Sequence, residues 1–193
     1  MAAPDVTLVP HVKGGSFPDT LAVLLERLGP QGFGRVMELV PPAFRDAHRL
    51  NSIHANVWYP LEWELALFRG FREIAACGLD AVADVGYAAS MRQFTGLYRI
   101  FFRLLQPQTL LGKAGTIFSR FYSMGEHELL ESHAGFARSR FVAPGFDANL
   151  WAEILGVCRA ALELAGAKGI KLSFERGGKD GDNESVVVGT WEA

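Results

Sequence analysis

His127, Glu131 and His133 bring together the donor types of a divalent-metal site, two imidazoles and a carboxylate. On a regular strand alternate residues share a face, so all three would point one way, with Glu131 and His133 as neighbours. No H-E-x-x-H helix and no paired cysteines back them, and solvated strand residues use the same types. His48 and His54 stand six apart in an expected loop, with no defined partner. Cys77 and Cys158 lie singly inside apolar helical patterns and read as buried free thiols, not nucleophiles.

Other chemistries lack their residues. Gly32-Phe33-Gly34 is the single G-x-G, and Met37 stands where a third glycine would let backbone N–H groups close on a phosphate. Gly86-Tyr87-Ala88-Ala89-Ser90 has the wrong spacing for a strained nucleophile turn. The acidic run Asp180-Gly181-Asp182-Asn183-Glu184 is followed by Ser185 and Trp191, where a calcium loop needs glycine and glutamate. With no catalytic constellation, a non-enzymatic role is expected.

The largest specific feature is aromatic. Phe94, Tyr98, Phe101, Phe102, Phe118, Phe121 and Tyr122 recur at helical spacing over 88–105 and 108–124, with Pro107 between. Two helices so joined pack antiparallel. The cluster serves either as core or as the wall of an apolar ligand cavity, with Tyr98 or Tyr122 as its polar tip. Arg99 and Arg103, one turn apart, are placed to hold an anionic head group. The expected ligand set is Phe94, Tyr98, Phe102, Phe118, Tyr122 and Arg99.

The elements that position these groups follow from punctuation and period. A helix starts at Pro18-Asp19-Thr20, carries Leu21, Leu24, Leu25 and Leu28 on one stripe, and stops at Gly29-Pro30. A short helix over 34–40 ends at Pro41-Pro42. Trp58-Tyr59-Pro60 is expected to open the next helix, since proline suits a first turn. Beyond Gly125, 126–134 and 136–143 read as strands about Gly135. Asp147 is the expected N-cap of a helix reaching Gly166. That helix has two apolar stripes, one through Leu150, Ile154 and Val157, the other through Trp151, Leu155 and Cys158. Ile170, Leu172 and Phe174 alternate with polar residues as in a half-buried strand, and 184–191 closes the chain as another.

The implied class is α+β: an N-terminal helical part, then a four-stranded antiparallel sheet with a long helix inserted between two hairpins. Residues 1–17 read as an arm, and 18–193 as one domain with a helical part (18–124) and a sheet part (125–193). With 49% hydrophobic residues in 193, the chain can bury a full core without disulfides or metals. Its 19 Lys+Arg against 21 Asp+Glu give no basic surface for nucleic acid. The N-terminus lacks a basic and then apolar leader, and no apolar run is long enough to span a bilayer, so a cytoplasmic protein is expected.

Trp58-Tyr59-Pro60, Tyr98-Arg99-Ile100, Leu105-Gln106-Pro107 and Tyr122-Ser123-Met124-Gly125 together resemble a paralogous family of unknown function abundant in myxobacteria. The part from Gly125 to Phe141, the 147–166 helix and the close at Thr190-Trp191 are similar to a wider fold group. That group comprises 4-vinyl-reductase domains, haem-nitric-oxide-binding domains and TRAPP vesicle-tethering subunits. The resemblance implies helices followed by an antiparallel sheet, an internal apolar cavity for a small molecule, lipid or haem, and a sensory or assembly role. The haem branch's Tyr-x-Ser-x-Arg motif is broken at Tyr122-Ser123-Met124, and no histidine sits clearly on a helix before the sheet. Cysteines that some 4-vinyl-reductase domains carry near the last hairpin are missing. No functional residue therefore transfers. The expected function is a regulatory module that binds a small apolar ligand or a protein partner, as a homodimer if the two-striped helix faces both sheet and partner. The alternatives are a haem-based gas sensor and a scaffold without ligand.

Overall fold

The computed structural model describes residues 9–94, 100, 102 and 104–192. Its first strand, β1 (His11–Lys13), pairs antiparallel with β2 (Trp58–Pro60), His11 opposite Pro60 and Lys13 opposite Trp58. The helix expected to open at Trp58 therefore begins later. Pro60 ends an edge strand, where its missing N–H costs no ladder bond. Tyr59 stacks on Trp63 of the following helix at 4.8 Å.

Helix α1 (Phe17–Leu39) holds the expected stop as a kink only. Gly29 takes φ +66°, and the helix resumes at Pro30 and runs on to Leu39. Proline is pre-set for a first helical position, so the segment expected over 34–40 starts earlier. α2 (Pro42–Arg49) follows, with His48 in its last turn instead of in a loop. α3 (Glu62–Ala75) and α4 (Leu79–Gln93) come next. α4 ends one residue before Phe94, so it is not part of a helix running from 88 to 105. Tyr98, Arg99, Phe101 and Arg103 lie outside the described residues. The helix expected over 108–124 is two: α5 (Pro107–Leu111) and α6 (Ala114–Phe121), parted at Gly112-Lys113. Glycine is a poor helix former and favours such a break.

β3 (Glu126–His133) and β4 (Phe136–Val142) form a hairpin, α7 (Ala148–Leu164) crosses the sheet, and β5 (Lys168–Arg176) and β6 (Glu184–Glu192) form the second hairpin. The sheet order is β3-β4-β6-β5, all antiparallel, as the α+β expectation requires.

The core joins both parts. Phe17, Phe44, Phe68 and Trp151 are fully buried among Leu24, Leu67 and Leu150. α7 packs on α4 and α3 on one side and on β5 on the other. Both of its apolar stripes are thus covered within the chain, and the stripe expected to face a partner is occupied. α4 and α7 approach backbone to backbone at Gly86 and Gly156. A Cβ on Gly156 would run into the Ala83 carbonyl oxygen and come within 2.6 Å of the Tyr87 nitrogen; one on Gly86 would lie 2.7 Å from the Glu153 oxygen. Among the described residues no helix is long and apolar enough to cross a membrane.

Candidate functional site

The strand reading of His127, Glu131 and His133 assumed unbroken alternation. The β3–β4 register instead shifts between Leu129 and Glu131. This bulge reverses the parity of the strand. His127 and Leu129 turn inward, whereas Glu131 and His133 are exposed on the other side, 3.9 Å apart. The three residues do not converge, and among the described residues no cluster of three metal-ligating side chains occurs. His127 packs edge-on against Phe141 at 4.7 Å. Its Nε2 is buried without a protein partner, and burial lowers its pKa to about 4, so it stays neutral.

A cavity of about 100 Å³ lies where α1, α4, α5, α6 and α7 meet β4. Four expected ligand residues line it: Phe94, Phe102, Phe118 and Tyr122. Tyr98 and Arg99 fall outside the described residues. The rings form two groups. Phe94 meets Phe102 edge-on at 4.9 Å, and Phe118 contacts Tyr122 at 4.9 Å and Phe141 at 6.0 Å. Leu110, Ile117, Ile154 and Val157 complete the apolar wall.

The sequence offers Tyr122 as a polar tip of the cavity but not the acid pair beside it. Glu64 of α3 and Glu153 of α7 both line it, with Tyr122 between them. Glu64 is 2% exposed, and neither Glu64 Oε2 nor Glu153 Oε2, both buried, has a hydrogen-bond partner in the structure. The Tyr122 hydroxyl interacts with both carboxyl groups. Three other polar side chains of the wall are already engaged. Thr20 Oγ1 donates to the Ser16 carbonyl at 2.9 Å, Ser16 Oγ to the Lys13 carbonyl at 2.8 Å, and Gln93 Nε2 to the Gly15 carbonyl at 2.9 Å. No lysine, arginine or histidine is among the described residues of the wall.

Each member of the cluster is held by a local device. Glu64 is the third residue of α3, its N–H bonded to the Leu61 carbonyl at 3.0 Å. Tyr122 leaves α6 in extended conformation and bridges to Val12 of β1, with Ser123 N donating to the His11 carbonyl at 2.9 Å. Glu153 is set by the glycine contact of α7 with α4.

Burial controls the protonation of the cluster. It raises Glu64 from its ordinary 4.5 to about 8, against a smaller lowering by the Tyr122 hydrogen bond. Burial, then the charge of Glu64, drives Glu153 well up. Tyr122 is pushed well up by burial and by both carboxylates. The Cys158 thiol, on the same wall, rises to about 12 through burial and the charge of Glu153. At neutral pH the cluster is therefore protonated and uncharged, the lower-energy state for acids out of water.

One signal for the acid pair was present. Glu64 lies on the stripe of Leu67, Phe68 and Phe71, and Glu153 beside Leu150 and Val157, so each is a carboxylate at a core-facing position.

The architecture has known counterparts. No protein-family model matches the sequence, and no curated protein matches it. Solved structures do. An Fe(II) unliganded H-NOX protein from K. algicida superposes with a TM-score of 0.71 at 12% identity, over 94% of this chain and 97% of the other. A variant H-NOX protein from S. oneidensis in the Fe(II) ligation state gives 0.69 at 11% identity, over 94% and 96%. An oxygen-binding H-NOX domain related to soluble guanylate cyclases gives 0.58 at 14%, over 94% and 95%. The chain has the H-NOX fold.

Haem does not fit the residues present. The cavity is several-fold smaller than ordinary cofactor sites, which measure about 300–1,000 Å³. Its described wall offers no imidazole. His11, His48, His54, His127 and His133 all lie elsewhere. Tyr122 and Cys158 would bind iron as anions, and burial opposes both anions. An apolar macrocycle would leave the two buried carboxyls of this wall without partners.

Proposed function

We propose that the chain is a sensory or regulatory module that uses the H-NOX fold to enclose a small, largely apolar molecule in place of haem. The observation that carries this reading is the internal cavity of about 100 Å³, walled by Phe94, Phe102, Phe118 and Ile154. An engineered apolar cavity of about 150 Å³ takes up benzene, so this smaller volume suits compounds smaller than benzene. The thiol among the described wall residues, Cys158, is raised to about 12 by burial and by the charge of Glu153, which favours binding over nucleophilic catalysis. The similar structures are of Fe(II) and oxygen-binding H-NOX proteins, and haem-based gas sensing is the competing reading.

Two measurements separate the readings. Haem is added to the purified protein and the visible spectrum followed. The protein should gain no Soret band at stoichiometric haem, and should be stabilised in thermal unfolding by small cyclic hydrocarbons at millimolar concentration. A stoichiometric Soret band that shifts on addition of gas would overturn the proposal in favour of gas sensing.

A further inference from the structure

We propose that the cavity recognises a small organic ammonium ion, its charged head set between Glu64, Glu153 and Tyr122 and its apolar body against the phenylalanine rings. This deepens the reading of the cavity as a small-molecule site and rests on it.

The argument starts from two oxygens left over. Glu64 Oε2 and Glu153 Oε2 are buried in one cavity and neither meets a hydrogen-bond partner. A buried polar group without a partner is costly, and two facing one space call for a ligand that serves both. Among its described residues the wall supplies no cation. An ammonium head carries three N–H donors and no acceptor. It can donate to each carboxyl group and to the Tyr122 oxygen at once. A neutral hydrocarbon leaves both oxygens unserved, an alcohol has one donor, and an anion meets two acids.

The walls suit the same ligand. Cations are attracted to aromatic faces, and the Phe118 and Tyr122 rings adjoin the acid pair. Phe102, Ile117 and Val157 give the body an apolar seat. A body of three or four carbons matches the volume.

Charge balance makes the inference measurable. The titratable groups facing the site are Glu64 from α3, Tyr122 after α6, and Glu153 and Cys158 from α7. α1, α4, α5 and β4 present no titratable side chain to it among the described residues. Burial keeps both carboxyls protonated at neutral pH. When R–NH₃⁺ enters, one carboxyl O–H bond breaks, its electrons stay on the carboxylate, and the proton leaves to solvent. The site stays neutral, and one proton is released per ligand bound. Affinity rises with pH until the carboxyl that must ionise has already lost its proton in the free site, near 8 for Glu64.

The experiment is calorimetric titration of the intact protein at neutral pH with cyclobutylamine and with cyclobutanol, in two buffers of different ionisation enthalpy. The amine should bind at least tenfold more tightly than the alcohol and release about one proton. Glu64→Gln with Glu153→Gln should abolish that preference and the proton release. Equal binding of the two compounds by the unaltered protein, or amine binding without proton release, overturns the ammonium assignment and leaves the apolar cavity standing. Failure of both compounds to bind overturns the cavity reading as well.

Discussion

Arg69 Nε donates to Asp147 Oδ2 across 2.8 Å. This contact ties α3, which carries Glu64, to the N-cap of α7, which carries Glu153. Asp147 is fully used: Oδ1 accepts from the backbone N–H groups of Asn149 and Leu150 at 3.0 and 3.1 Å, and Oδ2 also accepts from Asn149 Nδ2 at 2.9 Å. Arg72 adds a second tie, to Asn149 Oδ1 at 3.1 Å. The two acids face one cavity because the helices bearing them are clamped at this end.

Asp147→Ala should therefore weaken both the cap and the clamp. Loss of a good N-cap costs about 1–2 kcal/mol. Arg69 is half exposed and turns to solvent, so the ion pair itself adds little. Urea denaturation should show a lower midpoint at unchanged slope. Asp147→Asn keeps an oxygen for the backbone donors and should lose less. Equal losses from the two variants would show that capping is not the source of the stability.

Gly156→Ala tests the other constraint on Glu153. The added methyl meets the Ala83 carbonyl oxygen and the Tyr87 nitrogen, both backbone atoms of α4 that cannot step aside cheaply. Overpacking of this kind costs about 1–3 kcal/mol. Gly34→Ala on exposed α1 is the control, because its Cβ would meet nothing within 4 Å. There the substitution should stabilise by about 0.5–1 kcal/mol through lower chain entropy in the unfolded state. Thermal unfolding of both variants should move in opposite directions.

How far the fold was legible in advance depended on whether its cause was local. The strand at Ile170, Leu172 and Phe174 declares itself by alternation, and the α7 cap at Asp147 by residue type, because each is decided within a few positions. Trp58-Tyr59-Pro60 is decided by His11–Lys13, more than forty residues away, and its local pattern favours a helix. The bulge after Leu129 depends on pairing with β4, and it alone separates His127 from Glu131 and His133. Phe94, Phe102, Phe118 and Tyr122 were found as a set because aromatic spacing marks an apolar wall. Glu64 and Glu153 were not, because a glutamate reads as solvated until the packing of two distant helices is known.

Stability should depend on pH through the acid pair. An unfolded glutamate releases its proton near 4.5, whereas native Glu64 holds its own to about 8. Between these values the native state binds more protons than the unfolded state, so stability falls as pH rises. The contribution is intact below 4.5 and lost as pH passes through 8. The Glu64→Gln, Glu153→Gln double variant cannot ionise at either position. Its denaturation midpoint should stay flatter from pH 5 to 8 and exceed that of the parent at pH 8. Parallel pH profiles for the two proteins would show that the pair is not held protonated in the native state. A double variant is needed because the two acids titrate as a unit.

Cys158 should be inert while the protein is folded. Burial and the nearby Glu153 raise its thiol to about 12, so almost no thiolate exists at neutral pH, and thiolate is the species that alkylates. Cys77 sits beside Arg69 and Arg72 at an open surface recess. With iodoacetamide at pH 7.5, mass spectrometry of the native protein should find a single carbamidomethyl group, on Cys77. Cys158 should be labelled only residually until denaturant is added. A ligand seated against Glu153 should slow the residual labelling of Cys158 and leave Cys77 unchanged, because Cys158 shares the cavity wall with the acid pair and Cys77 does not. Native labelling of Cys158 as fast as Cys77 would mean that the cavity opens to solvent around α7, and that its acids are not sheltered as the structure requires.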